Sequence, residues 1–441
     1  MNKQKFLHIY NFLPPKQKET LHNYLAGLTD EENAEKRGTC SSTIRTHLAS
    51  VARAFGLTTS LRGCAYRDRL VDLFVRYKPD LVCRELRESI GYPTPVPNEP
   101  MYEGPLPLDS KYYVERSDCD EDCYEHIQQP GSLIRIKATK QLGKTSLLNR
   151  IVNYAQTLNY QTVTLSFASW NMVTLKNIDQ FLKYFCSAVS NGLRIEQHIH
   201  EEWDDLLTAN ANCQYYFENH ILNQNKTIVL ALDDLDKVFE NPETSYDFCA
   251  LLRDCHNEAK RQNINSDLWK NIKFILAHST EVYTNLSIAG SPLTGVGKVF
   301  VLNDFNFEQL ENLMDKYRLN WNIDSIKNIL EFLGGNPYLH QLAFAYIYNH
   351  KITLEEFFQE STSESGIYGE HLLNHLKNLR QNNDLSTAFC QVAKADKNQC
   401  IQIDPIQAES LERLGLVRRE GNYVRIRCQL YRQYFNYRLC N

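Results

Sequence analysis

The sequence lacks an apolar run long enough to cross a membrane. A membrane helix needs about 20 consecutive apolar residues, and no segment of the 441-residue chain approaches that length. Residues 1–5 lead into no uninterrupted apolar segment of the kind that forms a secretory signal peptide. We therefore expect a cytoplasmic protein that makes no membrane contact.

A complete set of cysteine and histidine ligands for zinc is also missing. The 13 cysteines are scattered along the chain, and the close pair Cys119 and Cys123 is accompanied by no second Cys or His pair that would complete a tetrahedral site. An odd number of dispersed cysteines in a long chain favours free thiols over a disulfide framework.

Internal repeats and low-complexity tracts are not evident. Without a repeat of about 20 to 50 residues, the pattern does not favour a solenoid. The composition, with 43% apolar and 23% charged residues, is that of a globular protein. The length is sufficient for about three domains.

The net charge is small and unevenly distributed. Residues 1–90 hold 15 Lys and Arg against 10 Asp and Glu, which gives +5; the whole chain has -5, so the remainder carries -10. A basic N-terminal segment suits an approach to nucleic acid, although a charge of this size is also common on ordinary solvated surfaces.

Prolines mark the clearest boundary in the chain. Six of the 14 prolines fall between Pro93 and Pro107, where they remove backbone donors and restrict helix formation. We interpret residues 91–107 as a linker that follows a small all-α domain at residues 1–90.

The region after the linker is predicted to be an α/β domain. Short apolar runs alternate with helical patterns, which is typical of a buried parallel sheet. These runs are residues 133–136, 162–167, 228–232 and 274–277. We predict an α/β core at residues 108–300, a helical lid at 301–365 and, because helices precede a hairpin pattern at 416–427, a winged-helix domain at 366–441.

A phosphate-binding loop is the strongest motif. The first apolar run is followed by Ala-Thr-Lys-Gln-Leu-Gly-Lys-Thr at residues 138–145 and then by an amphipathic helix. In this context backbone N–H groups bind phosphate, Lys144 reaches the β- and γ-phosphates, and Thr145 can ligate Mg²⁺. Ala138 stands where the consensus has glycine, so this turn must take a conformation open to an L-residue. The alternative is a chance Gly-Lys-Thr at a helix start.

A second motif places acids after the apolar run at 228–232. Ligands of open α/β sheets bind at the carboxyl ends of strands. We expect Asp233 to hold Mg²⁺ through water, and Asp234 to orient or deprotonate the attacking water. Aspartate reaches less far than glutamate, so slow hydrolysis is expected. The alternative is that these acids cap a helix, which Asp236 could do.

Two further segments are ambiguous when they are considered alone. Ser279 and His278 follow the last apolar run, where a polar side chain can contact the γ-phosphate or water; a helix cap explains Ser279 equally well. The Gly-Gly-Asn-Pro turn that ends at Pro337 is consistent with a simple turn before a helix that begins at proline.

Taken together, these motifs resemble the STAND and archaeal-initiator-like branch of the AAA+ ATPases. Residues 112–116, 278–283, 366–368 and 430–435 resemble more closely bacterial, largely cyanobacterial, proteins with an AAA-like domain. The resemblance covers nearly all of residues 108–439. It implies an α/β P-loop core with ATP or ADP and Mg²⁺ held between the core and the lid.

The resemblance also implies roles for individual residues. Pro337 would pack near the adenine, with Val114 and Arg116 bordering the base from the other side. Ser279 or His278 would act as the polar sensor of the γ-phosphate in an ATPase of this kind. The loop motif matches at Ala138, Gln141, Gly143, Lys144, Thr145 and Ser146 and departs at Thr139 and Lys140.

Residues 1–90 resemble the helix-turn-helix found ahead of such ATPases in proteins associated with von Willebrand A and MoxR modules. Residues 29–32 predict a capping box, and a recognition helix is predicted to start near residue 40. Its outward residues Ser42, Thr43, Arg45 and Thr46 would meet double-stranded DNA. A protein-docking helical domain with the same core is the alternative.

Three functions are consistent with this sequence. The first is an ATP-binding, slowly hydrolysing regulator that engages DNA, a protein partner or a second copy of the chain. The second is a DNA-binding protein in which ADP is a static structural ligand. The third is an ATPase adaptor or signalling module of a bacterial conflict, defence or transposition system, with no DNA contact.

Overall fold

The computed structural model describes residues 3–57, 65–78, 81–89, 100–116, 119–224, 226–261, 264–279, 293–319, 321–396 and 399–440. The chain forms two compact units, Met1–Asn98 and Glu99–Asn441. Two predicted features lie partly outside the described residues, namely positions 91–99 of the linker and positions 280–283 of the family-like segment.

The first unit is helical in its described residues. Thr29 and Glu32 form the predicted capping box at the start of the third helix. Ile44, Leu48 and Val51 are buried in the core, as their spacing predicts. The helices are α1 Lys3–Asn11, α2 Pro15–Leu25, α3 Asp30–Lys36, α4 Ser41–Ala54, α5 Ala65–Tyr77 and α6 Arg84–Ser89.

A parallel sheet forms the centre of the second unit. Among the described residues it has five strands in the order β2-β3-β4-β1-β5, and the pairs follow parallel registers such as Leu133 with Phe274 and Ile228 with Ile272. The strands are β1 Leu133–Lys137, β2 Gln161–Ser166, β3 Ile228–Asp233, β4 Ile272–His278 and β5 Lys298–Val301.

The sheet is covered on both faces. Alternate residues of β3 belong to different cores: Leu230 packs with helices on one face, and Ala231 packs with the helix that follows the phosphate loop on the other. All six residues of β3 are buried, and each large aliphatic side chain buried in this way contributes roughly 1.5–3 kcal/mol. The strands that carry the candidate site are therefore firmly anchored.

Helices surround this sheet in the residues that the structure describes. They are α7 Asp120–His126, α8 Lys144–Thr157, α9 Met172–Lys176, α10 Ile178–Leu193, α11 Ile199–Glu202, α12 Ala209–Tyr216, α13 Asp236–Phe239, α14 Pro242–Glu258 and α15 Ser266–Trp269.

The C-terminal part is helical apart from one hairpin, within the residues described. Strands β6 Val417–Glu420 and β7 Tyr423–Ile426 pair antiparallel, close to the predicted hairpin. Its buried residues form one continuous core with those of the predicted lid. The helices are α16 Phe307–Lys316, α17 Ile323–Leu333, α18 Pro337–His350, α19 Leu354–Glu360, α20 Gly369–Arg380, α21 Asn383–Lys394, α22 Pro405–Arg413 and α23 Gln429–Arg438.

One expectation about the cysteines is wrong. Cys390 in α21 and Cys440 after α23 form a disulfide, although the dispersed pattern favours free thiols throughout. The two residues are 50 positions apart in sequence, so only the packing of α21 against α23 brings them together.

None of the helices in the described part of the chain combines the length and the apolar character that crossing a membrane requires.

Candidate functional site

The predicted phosphate loop connects β1 to α8. Its backbone turns at Gly143, where φ is 92°, a left-handed conformation that glycine adopts without steric cost. Lys144 is the first residue of α8, so the free N–H groups and the positive end of this helix face the loop. The turn thus builds an anion site from the backbone alone.

The ammonium group of Lys144 lies inside this loop. Nζ donates to the carbonyl oxygens of Ala138 and Thr139, both at 3.1 Å, and to the Oγ of Ser279 at 3.3 Å. Three oxygen atoms therefore hold the charge at the carboxyl edge of the sheet, beside the N-terminus of α8.

Thr145 and Asp233 meet at the same edge. The Thr145 hydroxyl donates to Oδ2 of Asp233 at 2.8 Å. Burial raises the pKa of Asp233, while this hydrogen bond acts in the opposite direction. A hydroxyl and a carboxylate are hard oxygen ligands, and Mg²⁺ commonly takes only one or two carboxylates from a protein. The pair therefore fits a magnesium site.

Asp234 follows with a different environment. Its backbone has φ of 55°, a left-handed conformation that Asp and Asn tolerate better than most residues. The Ser166 hydroxyl at the end of β2 donates to Oδ2 of Asp234 at 2.6 Å. The second acid is thus directed toward β2, away from the contact between Thr145 and Asp233.

Ser279 is held by Asp236. Its backbone N–H and its hydroxyl donate to the Asp236 carboxylate at 2.8 Å and 2.9 Å. Asp236 therefore orients a residue of the site; it is the first residue of α13, whose start has no side-chain cap hydrogen bond. His278, the other candidate at this position, is buried against Phe239, and burial lowers its pKa to about 3, so it stays neutral.

Val114, Arg116 and Pro337 also line the site. Arg116 is buried, and its Nη2 donates to the carbonyl oxygen of Leu142 in the phosphate loop at 2.8 Å. Its guanidinium lies 5.0 Å from the centre of the Phe305 ring. Val114, Phe305 and Pro337 supply apolar surface to this lining, against which a planar aromatic base can pack.

The Gly-Gly-Asn-Pro turn has a packing role that its sequence alone does not reveal. A Cβ at Gly335 would lie 2.5 Å from Cβ of Asp304 and 2.6 Å from the carbonyl oxygen of Phe305, so glycine is required there. Asn336 then caps α18 by accepting from the N–H of Tyr338 at 2.9 Å. The turn brings Pro337 to the wall of the site.

The residues predicted for the nucleotide site, apart from the alternative candidate His278, line a single cavity of about 370 Å³. This volume lies within the usual range for small-molecule sites. The residues are Val114, Arg116, Gln141, Gly143, Lys144, Thr145, Ser146, Asp233, Asp234, Ser279 and Pro337. The Ser146 hydroxyl accepts the backbone N–H of Leu106 at 3.0 Å, and the backbone N–H of Ser146 lies in the first turn of α8, where N–H groups have no partner within the helix.

The cavity includes residues that sequence reasoning did not assign to it. Glu103 to Leu106, predicted to belong to the linker, form part of its rim, and Phe305, Tyr338 and Gln341 also line it. Asp236 is a polar addition to this lining, and Ser166 is connected to the cavity through its hydrogen bond to Asp234. The rule that ligands bind at strand ends could have identified Ser166, because it is the last residue of β2.

The predicted DNA-contacting residues lie on α4 in the first unit. Ser42, Arg45 and Thr46 are exposed and Thr43 is half-buried. The side chain of Arg45 is 61% exposed and pairs with Asp30 at 2.9 Å. This local ion pair partly neutralises the predicted reading face.

A family comparison agrees with this site. The model of the family described as "AAA-like domain" matches residues 101–437. The match includes every residue that lines the cavity. This chain belongs to the AAA-like domain family. No curated protein sequence matches it.

Solved structures show which fold this AAA-like domain has. A Walker-type ATPase of Pyrococcus abyssi is 14% identical, with a TM-score of 0.52, and the match covers 76% of this chain and 99% of that chain. Cdc6p of Pyrobaculum aerophilum is 15% identical, with a TM-score of 0.40 and coverage of 76% and 100%. The first similarity shows the α/β fold of a P-loop ATPase.

Proposed function

We propose that this AAA-like protein is an ATP-binding switch of the STAND type, which hydrolyses ATP slowly and acts as a nucleotide-controlled regulator in the cytoplasm. The observation that carries the proposal is the hydrogen bond of 2.8 Å between Thr145 and Asp233, next to Lys144 in one cavity. These are the groups that grip a magnesium-bound nucleotide in P-loop proteins.

Each wall of the cavity has a part in this proposal. Lys144 and the backbone N–H groups from Gly143 to Ser146 bind the phosphates. Thr145 and Asp233 hold Mg²⁺, which neutralises phosphate charge when it is bound. Val114 and Pro337 border the adenine, and Arg116 stabilises the loop through its hydrogen bond to Leu142.

Slow hydrolysis follows from the residues around Asp234. A general base must reach its water within hydrogen-bond distance, and the Asp234 carboxylate instead accepts the Ser166 hydroxyl at 2.6 Å. Moving this acid toward the nucleotide would cost that hydrogen bond. We therefore propose that binding, rather than turnover, is the regulatory event.

Binding energy is sufficient to drive such a switch. A ligand at about 100 times its dissociation constant stabilises the state it prefers by roughly 2.7 kcal/mol. The cavity contains residues from the sheet edge and from Pro337 at the start of α18, so a bound nucleotide contacts both parts and favours the arrangement in which they are close.

Titration calorimetry of the purified protein with Mg-ADP and Mg-ATP tests the proposal. The wild type should bind adenine nucleotides, and Lys144→Ala should weaken binding at least about 100-fold, because it removes the charge at the phosphates. Lys237→Ala is a matched control, since Lys237 pairs only with Glu240 at 3.0 Å in the contacts described. Wild-type protein that is silent toward adenine and guanine nucleotides would contradict the proposal.

DNA binding by the first unit is a second part of the proposal. The exposed face of α4 with Ser42, Arg45 and Thr46 and the excess of basic residues before the linker support it. The ion pair of Arg45 with Asp30 weakens it, since DNA must compete with this acid. An adaptor that binds proteins only is the alternative.

Arg45→Glu tests this assignment. If α4 reads DNA, the variant should lose roughly tenfold or more in affinity, and the dependence of binding on salt should become less steep. Fluorescence anisotropy with duplex DNA at several salt concentrations measures both quantities. Arg76→Glu, at a residue on α5 that pairs with Asp72, is the control. Equal affinities would favour the adaptor.

A further inference from the structure

The C-terminal hairpin reaches the phosphate loop through one arginine. Arg427 directly follows β7, and its side chain is only 7% exposed. Its Nη1 donates to the Oγ1 of Thr139 in the loop at 3.3 Å, a contact between residues 288 positions apart. Gly415 lies on the same side, since a Cβ there would be 3.9 Å from Cβ of Thr139.

Thr139 accepts two hydrogen bonds, one through its backbone carbonyl oxygen and one through its side-chain hydroxyl. Its carbonyl oxygen accepts Nζ of Lys144 at 3.1 Å, and its hydroxyl accepts Arg427. A phosphate group competes with the loop carbonyls for the Lys144 ammonium, because a charged acceptor binds it more strongly than a neutral one. Any rearrangement of Lys144 therefore acts on the residue that Arg427 contacts.

Asp304 fixes the guanidinium of Arg427. Its Oδ1 forms an ion pair with Nη2 of Arg427, and its Oδ2 binds Arg418 of β6 at 2.7 Å. Asp304 also packs against Gly335, so it lies beside the turn that leads to Pro337. Because a guanidinium is planar and presents several donors at once, Arg427 can bind Asp304 and Thr139 together.

We propose that Arg427 is a positioning residue for the phosphate loop and couples nucleotide binding to the C-terminal hairpin. This inference rests on the proposed function. The loop has glycine only at Gly143 and no proline between residues 138 and 145, so a side chain that restrains Thr139 lowers the entropy lost when the loop orders around phosphate. Loss of Arg427 therefore weakens binding.

Two arginine variants form a matched pair. Arg427→Met and Arg418→Met each remove one ion pair from Asp304, but only the first removes the contact with Thr139. Calorimetry should show Mg-ADP binding about tenfold weaker in Arg427→Met and within about twofold of the wild type in Arg418→Met, as expected for one hydrogen bond from a charged donor.

Variants of Thr139 separate positioning from folding. Thr139→Val keeps the shape of the side chain and removes the hydroxyl, so it should reproduce the tenfold loss, whereas Thr139→Ser should restore most of the affinity. In a double-mutant cycle, Arg427→Met combined with Thr139→Val should be no weaker than either single variant.

Hydrogen exchange of residues 417–426 gives a readout that a merely structural role would not change. Saturating Mg-ADP should slow exchange of this hairpin in the wild type and in Arg418→Met, and should leave it unchanged in Arg427→Met and Thr139→Val even when each is saturated.

The outcomes distinguish this inference from the proposed function. Nucleotide binding by the wild type together with equal behaviour of Arg427→Met and Arg418→Met would overturn the inference and leave the proposed function intact. A Thr139→Val variant with wild-type affinity and hairpin protection would also overturn it. A wild type that binds no nucleotide would overturn both.

Discussion

Asp233 and Asp234 are neighbours in the chain, yet their carboxylates have different surroundings. Asp233 is buried and accepts the Thr145 hydroxyl, whereas Asp234 accepts the Ser166 hydroxyl. The left-handed backbone at Asp234 produces this divergence, because it turns the second side chain toward β2. The two adjacent carboxylates are therefore held apart, Asp233 as a candidate metal ligand and Asp234 at a position from which it acts on water only after it leaves Ser166.

The isosteric variant Asp234→Asn tests the second role. Asparagine adopts a positive φ as readily as aspartate, so the change removes the charge with little backbone strain. ATP hydrolysis should fall by about 100-fold or more if Asp234 acts on the attacking water, with little change in ADP affinity. Phosphate release under steady-state conditions and ADP titration measure the two effects.

Asp267→Asn provides the control for this experiment, because Asp267 is an exposed acid that pairs with Lys270. Hydrolysis in Asp234→Asn at the wild-type rate would mean that Asp234 has no part in positioning water. Equal losses of hydrolysis and ADP affinity would instead assign it to nucleotide binding.

At the scale of elements, β1, β3 and β4 were predictable because they are buried on both faces, whereas β2, at the edge of the sheet, has only Val163 buried. A short, wholly apolar run such as residues 228–232 is typical of a central strand in a parallel sheet. The bounds of the four observed strands agree with the predicted runs to within about two residues. Since parallel strands end at one edge, the positions of Lys144, Asp233 and Ser279 in one site followed from their order in the sequence.

Strand β5 was not predicted, for a physical reason. It has four residues, only Phe300 among them is buried, and it pairs with β1 alone at the edge of the sheet. Its strand conformation depends on this tertiary pairing rather than on a local apolar pattern. Short edge strands of this kind carry little information in sequence.

The contribution of residues 103–106 to the rim of the cavity was not predicted either, and the reason is related. Prolines indicate an extended backbone in a free linker and in a segment packed over a helix alike. The hydrogen bond from Leu106 to Ser146 distinguishes the two cases, and it joins residues 40 positions apart. The contact of Arg427 with Thr139 is likewise beyond any local pattern.

On the scale of the whole molecule, the predicted lid and the C-terminal helices share one core, and three histidines lie in this part of the chain: His340, which is buried, and His371 and His375, which are half-buried. Burial lowers the pKa of His340 and His371 to about 4. It lowers the pKa of His375 to about 3, with His371, Lys140 and Arg427 acting in the same direction. These side chains are therefore neutral in the folded protein, whereas an unfolded chain protonates histidine near pH 6.5.

This difference predicts the sign of the pH dependence of stability. Below about pH 6.5 the unfolded chain takes up protons that the folded chain does not bind until about pH 4, so the free energy of unfolding falls as pH is lowered through this window. Each such histidine adds a slope of at most about 1.4 kcal/mol per pH unit. Above pH 6.5 these histidines are largely neutral in both the folded and the unfolded chain, so they contribute little to the pH dependence of the free energy of unfolding.

The variant His375→Phe isolates one of these contributions. It keeps an aromatic ring beside His371 and Tyr431 and removes the titrating group. The slope of the free energy of unfolding against pH, between about pH 6 and pH 5, should therefore decrease by roughly 1 kcal/mol per pH unit. Urea unfolding at several pH values measures it, with His350→Phe, an exposed position, as the control. An unchanged slope in His375→Phe would mean that acid unfolding is driven by protonation elsewhere in the molecule.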